Sequence, residues 1–82
     1  MITREDLLEL EPGDYLVTNG FSYLVVDTDH NASLPTAVIE QGGQRLTICV
    51  NADREVVDLE HGKKIIPLCD TRATIQKQPL SH

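Results

Sequence analysis

Three histidines, two cysteines and thirteen carboxylates are the side chains of this 82-residue sequence with the types to do chemistry. Their spacing argues against most of it. The run Asp27-Thr28-Asp29-His30-Asn31 alternates oxygen ligands as a calcium loop does. However, the sixth and twelfth places, where such a loop needs a glycine and a bidentate glutamate, hold Ala32 and Val38. His30, Cys49, His61 and Cys69 lack the paired close spacing of a zinc site, so neither metal nor cofactor is expected. A nucleophile would need a cysteine or serine beside a histidine base. Ser22 falls in a predicted strand and Ser33 in a predicted loop, outside any nucleophile turn. Paired carboxylates such as Glu5 with Asp6, or Asp58 with Glu60, read as surface charge. Gln41-Gly42-Gly43-Gln44 lacks the Lys-Ser/Thr of a phosphate loop and leads into a strand, which makes it a turn. The sequence therefore predicts no enzyme.

Charge says more about partners. Thirteen acids against seven bases give a net charge of −6 and a pI near 4.8, which repels the phosphate backbone that supplies most nucleic-acid affinity. The balance is uneven. Twelve of the acids lie in residues 1–60 with only Arg4, Arg45 and Arg54, whereas residues 61–82 hold Asp70 against Lys63, Lys64, Arg72 and Lys77. Two cysteines make no secreted disulfide framework, and Cys49 and Cys69 are expected as free thiols. The opening residues lack the basic and apolar segments of a signal peptide, and no apolar run is long enough to cross a bilayer, so a cytoplasmic location off the membrane is expected.

The elements that must position any site begin with a short helix over residues 3–10. Thr3 is a good N-cap, Glu5 and Asp6 suit the first turn, and Leu7, Leu8 and Leu10 supply an apolar face ended by Pro12-Gly13. From Tyr15 the period becomes that of strands. Asn19-Gly20 between Tyr15–Thr18 and Phe21–Val26 predicts a tight hairpin in which both turn residues accept positive φ. Thr18 then faces Phe21, Val17 faces Ser22, Leu16 faces Tyr23 and Tyr15 faces Leu24. Leu16, Phe21, Tyr23 and Val25 fall on one side, with Tyr15, Val17, Leu24 and Val26 on the other. Both sides are apolar, so both need cover, either by tight curling or by a partner.

A polar loop over 27–33 is expected next, followed by strands over Thr36–Glu40 and Arg45–Val50. Residues 51–62 admit a capped helix or a strand, and two adjoining β-branched residues favour a strand over Arg54–Leu59. Lys64–Leu68 reads as a last edge strand containing Pro67. Residues 1–70 are thus expected as one domain and 71–82 as a polar tail, in which Ala73–Ile75 could add an edge strand and Gln76–His82 fray.

This pattern is mainly β, and five or six short antiparallel strands after a helix usually close as a small barrel. Leu10-Glu11-Pro12-Gly13-Asp14-Tyr15 resembles the entry to the first strand of Src-homology-3-like barrels, which implies a bent first hairpin. Tyr15-Leu16-Val17-Thr18-Asn19-Gly20 after a helix is also superficially similar to the Sm-like fold. The acidic charge and the lack of an Sm RNA-binding signature argue against carrying that function over. The expected function is a small acidic protein-interaction module, an inhibitor or adaptor that engages a basic protein surface or a second copy of itself as a homodimer. Tyr15 and Tyr23, rimmed by Asp14, Asp27, Asp29 and Glu40, are the expected contact set, because aromatic side chains favour interfaces and acids steer basic partners. The alternative is a small-molecule or nucleic-acid-binding barrel using Lys63, Lys64, Arg72 and Lys77.

Overall fold

The computed structural model describes residues 1–78. Thr3 caps the helix reciprocally: its Oγ1 accepts the Asp6 N–H at 3.2 Å, and Asp6 Oδ2 accepts the Thr3 N–H at 2.7 Å. α1 (Arg4–Glu9) buries Leu7, with Ile2 and Leu10 buried at its two ends. Leu8 is exposed, because it lies about 100° around the helix from Leu7. The docked face is therefore Ile2, Leu7 and Leu10 rather than the three leucines.

β1 (Tyr15–Thr18) and β2 (Phe21–Asp29) form the predicted hairpin in the predicted register. Of the two turn residues only Gly20 has positive φ, at +83°. β2 runs past Val26 because Thr28 pairs with Ala37 and Asp29 with Thr36, so partner strand pairing draws part of the expected polar loop into the sheet. β3 (Thr36–Gln41) and β4 (Gln44–Val50) follow around Gly42-Gly43, and β5 (Val56–Asp58) pairs with β4.

Residues 51–55 form a loop and not a helix. Asn51 Oδ1 accepts from the N–H groups of Asp53 and Glu55 at 3.0 and 2.9 Å, and Arg54 takes a φ of +62°, which no right-handed helix accommodates. The strand favoured by the sequence is present but confined to three residues. The expected strand over Lys64–Leu68 is a correction. Lys64 makes a single bridge to Val57, and Ile66–Cys69 is a 3₁₀ turn. Pro67 lacks a ladder donor and its fixed φ suits the first positions of a helical turn.

β6 (Thr74–Gln76) pairs with β1, so the sheet order is β5-β4-β3-β2-β1-β6 with every neighbouring pair antiparallel. The sheet thus extends beyond residue 70, and Ala73 is fully buried. Of the segment expected to fray, Gln76 lies in β6 and Gln78 donates its N–H to Asp14, while 79–82 lie outside the described residues. Curling gives a half-barrel whose end strands, β5 and β6, do not pair with each other among the described residues. The 3₁₀ turn packs against both β1 and β5 and buries Leu68 completely. Leu16, Val25, Ile39 and Ile48 fill the concave side beneath α1. No helix among the described residues is long and apolar enough to cross a membrane.

Candidate functional site

Strand pleating sorts the expected contact residues onto opposite sides of the sheet. Tyr23 shares the concave side with Leu16 and Val25 and is 6% exposed, and burial pushes its phenol above the ordinary value. Asp14 is wholly buried. Its Oδ2 accepts from Lys77 Nζ at 2.7 Å and the Glu11 N–H at 2.9 Å, and its Oδ1 accepts from the Gln78 N–H at 3.1 Å. Burial drives that carboxyl upward, but the hydrogen bonds from Lys77, Gln78 and Glu11 outweigh it and hold the carboxyl below 3.8. Tyr23 and Asp14 therefore lie largely within the fold and do not share a surface with the other expected contact residues.

The other four expected residues lie on the convex side. Tyr15 opposes Leu24, Leu24 opposes Glu40 and Glu40 opposes Arg45, while Gln76 opposes Tyr15 from β6. One row thus crosses five strands as Gln76-Tyr15-Leu24-Glu40-Arg45. Arg45 Nε lies 3.5 Å from Glu40 Oε2. Beside this row Asp27 opposes Val38, and Asp29 opposes Thr36 at the far end of β2. Val26 is the extra residue of a bulge between Val25 and Asp27, which brings Val26 and Asp27 together opposite Val38. Tyr15 is 40% exposed, and Val17, Leu24, Val26 and Val38 are half-buried.

The convex side is thus an apolar strip with Asp27, Asp29 and Glu40 around it and Arg45 as its nearby cation. Hairpin register made Tyr15, Val17, Leu24 and Val26 legible from the sequence. Val38 was not, because strict alternation gives no sign of the bulge that aligns it with Val26.

The basic residues of the chain's end are largely neutralised within the fold. Lys64 Nζ lies 2.5 Å from Glu55, Arg72 is 2.9 Å from Asp70 and Lys77 is 2.7 Å from Asp14. Hydrogen bonds from the Arg72 side chain and N–H hold the Asp70 carboxyl down at about 2.

His30 Nε2 lies 2.6 Å from the Leu10 carbonyl, and the Arg4 guanidinium donates to the carbonyls of Ala32 and Ser33, so both residues tie the β2–β3 loop to α1. Asp58, Glu60 and His61 bring potential ligand atoms within 4.8 Å of one another. That group closes on itself: His61 Nδ1 is 2.9 Å from Asp58 Oδ2, and Asp58 Oδ1 accepts the Glu60 N–H at 2.9 Å. Cys49 and Cys69 are free thiols, with Cys49 buried. No family model, curated protein or solved structure matches the chain.

Proposed function

We propose that this chain is a small non-catalytic interaction module that docks its convex sheet face on a basic protein surface, as an inhibitor or adaptor. The observation that carries the reading is the Tyr15-Leu24-Glu40 row, flanked by Asp27 and Asp29 and left half-open by the chain's own elements. Tyr15, Val17, Leu24, Val26 and Val38 form an apolar centre for desolvation, and the acids form a rim that favours encounter with cations. Asp27, Asp29, Glu40 and Tyr15 are the surface contact residues in this reading. The half-barrel is Src-homology-3-like in it, on the strength of the Pro12-Gly13 entry into a bent first hairpin, and the protein works in the cytoplasm. A homodimer through the same face is a variant of this reading, limited by the repulsion of the two acidic rims.

The nucleic-acid alternative ranks lower because Lys64, Arg72 and Lys77 are already engaged with carboxylates of the same chain. The test is affinity capture from the source cell at two salt concentrations, using the wild type and an Asp27→Asn/Asp29→Asn variant. The reading expects a protein partner whose retention falls with added salt and falls again in the variant. Salt-sensitive retention of nucleic acid, equal for both proteins, contradicts it.

A further inference from the structure

The two ends of the sheet are treated differently. Beyond β5 the chain turns back and lays residues 63–65 along the outer edge, where the Asp58 N–H donates to the Lys63 carbonyl at 2.8 Å and the Ile65 N–H to the Val56 carbonyl at 2.9 Å. β6 pairs with β1 on one side and has no strand on the other among the described residues. An open edge is a template for another chain unless something blunts it.

The register shows which groups the open edge offers. A two-residue turn makes Thr18 and Phe21 a pair that exchanges both hydrogen bonds, so Leu16 also turns its N–H and C=O toward β2, while Tyr15 and Val17 turn theirs toward β6. Their partners Gln76 and Thr74 point inward to β1. Ile75 therefore points its N–H and C=O out of the sheet, as does the Ala73 carbonyl before it, while the Ala73 N–H is taken by the Asp70 carbonyl at 3.0 Å. The Met1 ammonium agrees with this parity, since it donates to the Ala73 carbonyl at 2.8 Å and to the Thr71 carbonyl at 2.7 Å. It stops short of Ile75, whose N–H and C=O face outward beside a groove of about 390 Å³ between α1 and β6.

We propose that this edge accepts an extended basic segment of a partner protein as a seventh strand. Main-chain bonds to Ile75 would hold the segment, and every second side chain would enter the groove. Charge selects the occupant. Asp6 and Glu9 line the groove from the helix; Lys77 is paired with Asp14 Oδ2, the Met1 ammonium offsets one of the two acids, and Glu9 is left as the carboxylate without a hydrogen bond in the cap. A lysine or arginine entering the groove lays its stem along Met1 and Ile75 and sets its charge toward Glu9 and Asp6. This edge is separate from the convex face, and either assignment can fail without the other.

The probe is an acetylated, amidated hexapeptide of alternating lysine and valine, titrated into the ¹⁵N-labelled 82-residue chain, with the glutamate–valine peptide as its counterpart. The expected result is saturable amide shifts centred on Ala73–Lys77 and α1 with the lysine peptide, and affinity at least tenfold weaker for the glutamate peptide. Relative to Ile75→Ala, which loses the same side chain from the edge of the core, Ile75→Pro also removes the outward N–H, at an edge where proline is admitted, and is expected to weaken binding at least tenfold. Should that variant not fold, the same loss is expected when the lysine peptide carries N-methyl groups on the alternate amides that face β6. Full-strength binding by the methylated peptide or by folded Ile75→Pro overturns the proposal. So do equal affinities for the two peptides, shifts centred on Leu24, or sedimentation showing that a second copy already fills the edge.

Discussion

The Lys77 ammonium lies 2.7 Å from Oδ2 of the fully buried Asp14, sixty-three residues away in the chain. That bond ties the turn that starts the sheet to the segment that ends it, next to the β1–β6 pairing. Asp14 also accepts the N–H groups of Glu11 and Gln78. An acid that the sequence offers as part of a contact rim is in fact a clasp.

Asp14→Ala leaves two backbone donors without their acceptor and should cost about 2 kcal/mol, less than a fully buried pair because Lys77 is half exposed. Denaturant unfolding measures it. The carboxyl is held below its ordinary value, so its stabilisation is complete above pH 3.8 and is lost as pH falls through the depressed value. Lys77→Met should therefore move acid unfolding of the chain to higher pH.

Asp58 acts on His61 in the opposite direction. Its hydrogen bond and charge raise the imidazole above 6.5, so the stabilisation is present below pH 6.5 and is lost as pH rises through the higher folded value. An NMR titration of His61 should show the raised midpoint, and Asp58→Asn should bring it down.

Arg54 holds a left-handed backbone conformation, at φ +62°, that its Cβ disfavours. Arg54→Gly should stabilise the chain by roughly 0.5 kcal/mol, since relief of that strain exceeds the extra entropy glycine loses on folding. A higher melting temperature checks this, and a lower one would show that the Arg54 side chain does more than the turn requires.

The two tyrosines should separate cleanly. Tyr23→Ser empties a core position and should cost about 3 kcal/mol, whereas Tyr15→Ser on the half-open convex face should change stability by less than about 0.5 kcal/mol. Parallel denaturant curves decide the matter.

Local signals carried much of this fold. Asn19-Gly20 set the register of the first hairpin, and Thr3 with Asp6 set the helix start. The departures came where tertiary pairing decided the outcome. Asp27–Asp29 are polar enough for a loop yet are drawn into β2 by β3, whereas the edge strand that the sequence allows over Ala73–Ile75 forms one residue along, over Thr74–Gln76, on the edge of β1. Pro67 was legible as a residue outside a central ladder, but the 3₁₀ turn around it depends on Leu68 entering the core. The contact set mixed two sides of one sheet. Tyr15 and Tyr23 already fall on opposite sides by alternation, whereas the burial of Asp14 depends on a lysine far along the chain.

The most direct test of the docking face is site-specific photo-crosslinking in the source cell. A benzophenone side chain placed at position 24 lies in the middle of the convex row, and one at position 66 lies on the 3₁₀ turn, where Ile66 is 69% exposed. A discrete crosslinked protein partner is expected from position 24 and none from position 66. Crosslinking from position 66 alone, or from neither position, would contradict docking through this face.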